Sequence, residues 1–381
     1  MRILHVCDFI DPETGGGTAE RTFQMARALV DAGVECSILT TKMGLSDERR
    51  RALGDVDLHA CSYLFDRFIV PLTSPKRIRR LVAQVDLVHV MGHWSVLDAM
   101  ACAAARKLGK PYIVCPAGAL EIFGRSGLLK RIFNRVAGRR MVRGAARCFA
   151  VTEMETEQFL KYGVDKSRIV TIPNGIDTET TLLADESQIA TFRARHDLGQ
   201  APFILFLGRL SLVKGPDLLL EAFLTIAERF PNYLLVFAGP DAGMKSNMER
   251  QLVGSSCVHR VRFIGYVGGS EKSSAYAAAA LLAVPSRREA MSLVALEAGF
   301  AGTPVLLTDQ CGFDEVEAIG AGAVCAATAD GIAVGLATLL ERPEHLPEMG
   351  VRLQHHVNSH YTWRSITERC VGIYRMLCGG G

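Results

Sequence analysis

Short runs rich in Val, Ile and Leu, separated by longer stretches of helical periodicity, recur along almost the whole chain. Arg2–Cys7, Glu35–Thr40, Leu87–Met91 and Tyr112–Pro116 open the series, and Cys148–Val151 and Ile169–Ile172 extend it. A strand that is apolar on both faces must be covered on both, so this order dictates a parallel sheet wrapped by helices. Between the first two runs, Thr18–Ala32 carries Phe23, Met25, Ala26, Leu29 and Val30 near helical spacing, and Gly33 stops it. The pattern breaks at Pro173-Asn174-Gly175-Ile176-Asp177 and then restarts. Phe203–Leu207, Leu234–Ala238, Arg262–Ile264, Leu281–Val284, Pro304–Thr308 and Ala323–Cys325 form a second series, with helices expected at Pro216–Phe230 and Ser292–Ala301. The prediction is an α/β protein of two doubly wound parallel-sheet, Rossmann-like domains facing an interdomain cleft. They span residues 1–172 and 173–360. Residues 361–381 hold a helix, with Ile366, Cys370, Ile373, Tyr374 and Leu377 in one stripe, expected to pack back towards the first domain.

Composition narrows the class. A chain of 381 residues that is 49% hydrophobic and 22% charged buries a large core and is not a disordered or collagen-like polymer. Its nearly apolar runs, such as Ala275–Pro285, stop well short of the roughly 20 residues a membrane span needs. An acid at Asp8 comes too early for a signal-peptide core. The eleven cysteines are an odd number without a C-x-x-C pair, which points to buried thiols in a reducing, cytoplasmic setting and to no zinc site. A net charge of +3 makes no case for nucleic acid.

Ligands of doubly wound sheets sit beyond the carboxyl ends of the strands, so the loops there carry the functional reading. Gly15-Gly16-Gly17-Thr18 follows the first strand and opens a helix: either a flexible turn, or a backbone cradle for a phosphate at a helix N-terminus. It is not a dinucleotide fingerprint, because Glu20 stands at the sixth position and the second strand ends in Thr41-Lys42 without an acid for a ribose. Leu207-Gly208-Arg209-Leu210-Ser211-Leu212-Val213-Lys214-Gly215-Pro216 sets two cations around a turn at a sheet's ligand edge. It reads as a solvated basic loop or as a phosphate clamp of Arg209 and Lys214. Pro285–Ala298 places strand, loop and helix in order, with Glu289 in the loop and Glu297 on the helix. The N–H groups of Met291, Ser292 and Leu293 are expected to face an anion, and Glu297 on an apolar face to need hydroxyl partners.

Together these elements resemble the retaining glycosyltransferases of group 1 (family 4), with the GT-B fold, over nearly the whole chain. The glycine loop, Val170-Thr171-Ile172-Pro173-Asn174-Gly175-Ile176-Asp177, Gly208-Arg209 with Lys214, Glu289-x7-Glu297 and Gly302-Thr303-Pro304-Val305 stand in that family's order. The resemblance implies that Arg209 and Lys214 hold a nucleoside diphosphate and Glu297 the ribose. Glu289 would meet the donor sugar, and the backbone of Ala290, Met291, Ser292 and Leu293 would line sugar and phosphates. Gly16 and Gly17 would close on the diphosphate, and backbone near Tyr266 and Val267 would meet the base. Two departures stand out: Ala290 and Ser292 replace common glycines, and His89-Val90-Met91 replaces a His-x-His element, leaving His93 either as a substitute catalytic group or in a packing or acceptor role. The implied reaction is a metal-independent hexosyl transfer with retention, in which the leaving phosphate takes the acceptor proton. A nucleotide sugar, UDP-linked by family frequency, is its substrate, and no cofactor is needed. Asp55-Val56-Asp57 matches a D-x-D metal motif in the wrong context.

Arg125, Lys130, Arg131, Arg135, Arg139, Arg140, Arg143 and Arg147 lie between Ile122 and Ala150 without one acid. Leu128, Leu129, Ile132, Phe133, Val136 and Met141 interleave with them, giving an amphipathic helix or two. Such a segment is either a solvated helix packed on the core or a surface that lies on an anionic membrane. With a membrane, the acceptor is a glycan or lipid-linked molecule of surface polysaccharide or lipopolysaccharide assembly at the cytoplasmic face. A nucleotide-sugar 2-epimerase of the same architecture, and a non-enzymatic membrane-binding protein with a degenerate donor site, are the competing readings.

Overall fold

In the computed structural model, which describes residues 1–65, 69–122, 126–178 and 183–379, the apolar runs are the strands of two sheets. The chain divides into one unit of Met1–Gly175 with Trp363–Gly381, and a second of Ile176–Thr362.

The first unit contains β1 (Arg2–Val6), β2 (Glu35–Thr41), β3 (Asp57–Leu64), β4 (Val70–Leu72), β5 (Leu87–Val90), β6 (Tyr112–Val114), β7 (Arg147–Ala150) and β8 (Ile169–Thr171). Their order is β4-β3-β2-β1-β5-β6-β7-β8, and every pairing is parallel except β3 with β4. Sequence reading passed over β3 and β4. Both are amphipathic, with His59, Ser62 and Pro71 interrupting the apolar pattern, and Pro71 is tolerated because β4 is an edge strand. The strands β1, β5, β6 and β7 are almost wholly buried, as strands covered on both faces must be.

Helix Trp363–Cys378 belongs to this first unit. Its Tyr374 hydroxyl meets Nδ1 of His89 at 2.8 Å, and both side chains are fully buried. Arg21, 1% exposed, donates to the carbonyls of Ile172 and Pro173 and to Oδ1 of Asn174 at 2.7–2.8 Å, with its guanidinium over the Trp363 ring. A buried guanidinium is tolerable only with such a set of oxygen acceptors.

The second unit contains β9 (Phe203–Leu207), β10 (Leu234–Ala238), β11 (Val261–Gly265), β12 (Leu281–Val284), β13 (Val305–Thr308) and β14 (Gly322–Cys325). All are parallel, in the order β11-β10-β9-β12-β13-β14. Helices Pro216–Ile226 and Ala329–Leu340 cover one face through Leu219, Leu220, Phe223, Leu336 and Leu340.

In each sheet the strand order reverses at one place, between β1 and β5 in the first and between β9 and β12 in the second. The loops leaving those two strands diverge to opposite faces, and the crevice between them is where such sheets take ligands. The fold therefore pairs the loop after β1 with that after β5, and the loop after β9 with that after β12.

Candidate active site

In the second unit, the loop after β9 passes Gly208 and Arg209, makes a short 3-10 turn at Leu212–Lys214, and enters helix Pro216–Ile226. Gly215 makes the joint. Its φ is +66°, and a Cβ there would lie 2.1 Å from the Pro285 carbonyl oxygen, so no other residue lets this loop lie against the end of β12. Two further ties lace the loops together. The Arg287 N–H donates to Val213 O at 2.8 Å, and the Arg287 guanidinium forks across Asp217 at 2.7 and 2.8 Å. That fork raises the Arg287 pKa still further.

These ties bring Lys214 to Glu289. The ammonium donates to Glu289 Oε1, and Ser286 Oγ donates to the same oxygen at 2.7 Å. Glu289 is nearly enclosed, its side chain 7% exposed, and protein donors fill its Oε1 in this state. Arg209, by contrast, is exposed and has no side-chain partner among the described residues.

Helix Leu293–Phe300 starts one residue later than the sequence suggested, because Ser292 is its cap and accepts from the Ala295 N–H. The expected row of free N–H groups is broken at Ser292, whose own N–H donates to Cys311 O at 3.1 Å. The N–H groups of Ala290 and Leu293 have no acceptor among the described residues, and both residues are half-buried. Met291 is buried beside them. Glu297, expected to need hydroxyl partners, has one within the protein: Tyr276 O–H donates to Oε2 at 2.7 Å, and Lys272 donates to Oε1 at 2.6 Å. Burial, and then the neighbouring Glu297 charge, push the Tyr276 pKa far above its ordinary value. Sequence reasoning missed Lys272, Tyr276, Ser286 and the Arg287–Asp217 pair, and nothing in their spacing signals them. Tyr266 follows β11 and is exposed, whereas Val267 is buried.

In the first unit, helix Pro12–Asp31 is broken at Gly16, where φ +60° and ψ −145° interrupt it. One capped turn, Asp11 Oδ2 accepting from the Thr14 N–H at 3.0 Å, precedes the break, and Gly17 begins the long run. His93 follows β5. It is 1% exposed, its Nε2–H donates to Asn134 Oδ1 at 2.8 Å, and the Trp94, Phe133 and Tyr162 rings pack edge-on against it. Burial, opposed weakly by the Asn134 bond, lowers its pKa to about 4, so it is neutral. Asp57 pairs with His59 at 3.1 Å, and no group of three His, Cys, Asp or Glu able to hold a metal occurs among the described residues.

The basic segment is one helical run, Gly127–Phe133 and Arg139–Arg143 joined through a π turn at Asn134–Gly138. Arg131, Arg135, Arg139, Arg140 and Arg143 are exposed, with Leu128, Leu129, Ile132 and Val136 exposed among them. Lys130 is half-buried, its ammonium 5.4 Å from the Trp94 ring centre, and Arg125 lies outside the described residues. No described helix is long and apolar enough to cross a membrane.

Comparison with known proteins decides the family. Residues 188–354 match the glycosyl transferases group 1 family and residues 16–175 a glycosyl transferase 4-like domain. The chain belongs to the group 1 glycosyltransferases. Among curated relatives of this group 1 chain are D-inositol 3-phosphate glycosyltransferases of Actinosynnema mirum (36% identical over 45% of the chain and 43% of the relative) and of Nocardia farcinica (27% over 97% and 87%). A third, from Corynebacterium urealyticum, is 34% identical over 57% of the chain and 53% of its own length. The chain thus spans about half the length of the first and third of these. Its fold is similar to Anabaena HepE, solved with UDP-glucose (TM-score 0.79, 18% identity, 98% of this chain and 99% of that one). It is likewise similar to WaaG, a glycosyltransferase involved in lipopolysaccharide biosynthesis (0.71, 19%, 99% and 100%). The two parallel α/β units are those of the GT-B fold.

Proposed function

We propose that this group 1 glycosyltransferase moves a hexosyl group from a nucleoside-diphosphate donor to a hydroxyl of a glycan or glycolipid, with retention and without a metal. The observation that carries the reading is the juxtaposition of Lys214 with Glu289, in the loop that also carries Arg209, at the place where the second sheet reverses its strand order. A diphosphate arriving there meets Arg209 as a fork and competes with Glu289 for Lys214. The exchange frees the Glu289 carboxylate to accept hydroxyl hydrogens of the donor sugar.

As the sugar–phosphate bond breaks, negative charge grows on the leaving diphosphate. Arg209, Lys214 once released from Glu289, and the Ala290 and Leu293 N–H groups supply donors for it, and donors held around a leaving group contribute most of such catalysis. The departing phosphate oxygen takes the proton of the attacking hydroxyl on the same face, so no side-chain base is needed. Glu297, held by Tyr276 and Lys272, accepts the ribose hydroxyls. UDP is the preferred donor nucleotide in this reading, supported by the UDP-glucose bound to similarly folded HepE.

The basic run Gly127–Arg143, with Leu128 and Val136 exposed among its cations, supports docking on an anionic membrane and hence a lipid-linked acceptor, as in surface polysaccharide or lipopolysaccharide assembly at the cytoplasmic face. A thermal-shift and calorimetric panel of UDP, GDP, ADP and their sugars tests the donor site, since only a ligand of the folded state stabilises it. One diphosphate should bind, and Glu297→Ala should lose it. Binding of none, or binding that ignores Glu297, Lys214 and Arg209, overturns the reading. Product analysis separates transfer from 2-epimerisation.

A further inference from the structure

Two side chains donate to the same oxygen of Glu289, Oε1: the Lys214 ammonium and Ser286 Oγ. They are not equivalent. Lys214 ends a short 3-10 turn with its side chain 35% exposed, and in the reading above a diphosphate draws it away. Ser286 is fully buried and makes its bond at 2.7 Å from the end of β12, out of reach of any diphosphate. Once the donor is bound, Ser286 keeps its hold on the carboxylate.

What fixes Ser286 comes from the neighbouring strand. Thr308, the last residue of β13 and fully buried, donates its hydroxyl to the Ser286 carbonyl at 2.6 Å. The bond joins the ends of β12 and β13, which pair in parallel. Cys311 Sγ, 3.3 Å from Thr308 Oγ1 and 3.4 Å from Val284 O, packs beside that hydroxyl. The chain after Thr308 adds main-chain ties to the same loop. The Glu289 N–H donates to Gln310 O at 2.9 Å, and the Ser292 N–H to Cys311 O at 3.1 Å. Among these ties it is the Thr308 hydroxyl that acts on the residue whose side chain touches the Glu289 carboxylate.

Packing does not ask for a threonine here. The rest of β13 is Val305, Leu306 and Leu307, and a valine at 308 would fill the same space with an equal preference for a strand. A hydroxyl buried in such a place is costly unless it is bonded, so the bond is what the threonine supplies.

We propose that Thr308 is a positioning residue of the donor site: its hydroxyl fixes the Ser286 carbonyl, and Ser286 in turn aims the Glu289 carboxylate at the donor sugar while the diphosphate holds Lys214. The proposal rests on the glycosyl-transfer reading above and deepens it. Arg209 and Lys214 serve a bare diphosphate and a sugar nucleotide alike, whereas the Thr308–Ser286–Glu289 relay serves the sugar alone.

The test is calorimetry on the full chain with UDP and UDP-glucose, and with the GDP/GDP-mannose and ADP/ADP-glucose pairs, reading the ratio of affinities within a pair. Thr308→Val keeps the shape and removes the donor. The ratio should move against the sugar nucleotide about three- to tenfold, the worth of one hydrogen bond, while affinity for the bare diphosphate holds. Thr308→Ser should restore the ratio. Ser286→Ala cuts the relay at its second link and should give the same shift, which keeps the test open if Thr308→Val does not fold. In series the two losses are not additive, so the double variant should match Ser286→Ala. Retained melting temperature reports that each variant is folded. The proposal is overturned if folded variants keep the wild-type ratio, if both ligands of a pair weaken together, if Thr308→Ser fails to restore, or if the two losses add. A wild-type chain that binds none of the pairs sinks the donor reading. One that binds a pair, with a ratio indifferent to Thr308 and Ser286, sinks this proposal alone.

Discussion

The buried Tyr276 hydroxyl donates to Glu297 Oε2 at 2.7 Å, tying helix Gly269–Ala278 to helix Leu293–Phe300 through the carboxylate assigned to the ribose. Tyr276→Phe removes one orienting bond and leaves the carboxylate with Lys272. We expect donor affinity to fall about three- to tenfold and stability by about 1 kcal/mol, the ordinary worth of one hydrogen bond. Calorimetry with the donor nucleotide and a urea melt measure the two effects separately.

Lys214→Ala takes away the cation expected on the leaving diphosphate. Loss of one pre-aimed donor costs about 10²–10³ in kcat. Glu289 is then left nearly enclosed without its ammonium partner, Ser286 still donating to it, so the variant should also melt lower than wild type. Steady-state transfer assays read the first effect. An unchanged kcat would remove Lys214 from the chemistry.

Gly215→Ala asks for two impossible things at once, a side chain at φ +66° and a Cβ 2.1 Å from Pro285 O. The loop after β9 must then leave the end of β12. A loss of about 3 kcal/mol or more is expected. Donor binding should fall with it, because Lys214 no longer meets Glu289.

Acid should destabilise the first unit through its histidines. Burial lowers His5 and His93 to about 4, and His89 well below its ordinary 6.5. Each is neutral when folded and binds a proton near 6.5 when unfolded, so its contribution is full above 6.5 and is lost as pH falls towards 4. Asp8, raised to about 6, and Asp98, raised well above its ordinary 3.8, run the other way, each favouring the fold below 3.8 and losing that contribution as pH rises through its folded value. The three histidines still outnumber these two carboxyls. Each uncompensated proton is worth about 1.4 kcal/mol per pH unit, and His5→Phe, which removes one of them, should flatten urea-melt stability between pH 6.5 and 5.

If the basic run docks on lipid, Arg135→Glu with Arg139→Glu should abolish binding to vesicles containing phosphatidylserine, each lost cation costing about 1 kcal/mol. Vesicle sedimentation at low and high salt measures it. Val136→Ser, at a side chain 74% exposed, should weaken binding without changing salt sensitivity.

Much of this was legible in the chain. The near-continuous apolar strands β1, β5, β9 and β12 announced themselves because burial on both faces leaves few polar positions, and eight others differ from them only in degree or lie at edges. The strands that escaped, Asp57–Leu64 and Val70–Leu72, are half-exposed, so polar residues mask their period. Arg209, Lys214, Glu289 and Glu297 stood out as candidates from loop position, residue type and order. Their hydrogen-bond partners were not: Tyr276 and Lys272 lie 21 and 25 residues from Glu297, and Ser292 spends its N–H on Cys311.

By itself, then, the sequence determined the two parallel sheets and the loops at their carboxyl edges, because hydrophobic periodicity and turn chemistry are local properties of the chain. Only the tertiary structure decided what those loops hold. Strand order, a property of the whole sheet, sets Lys214 against Glu289 and Thr308 against Ser286, while burial decides which of these polar atoms must have partners.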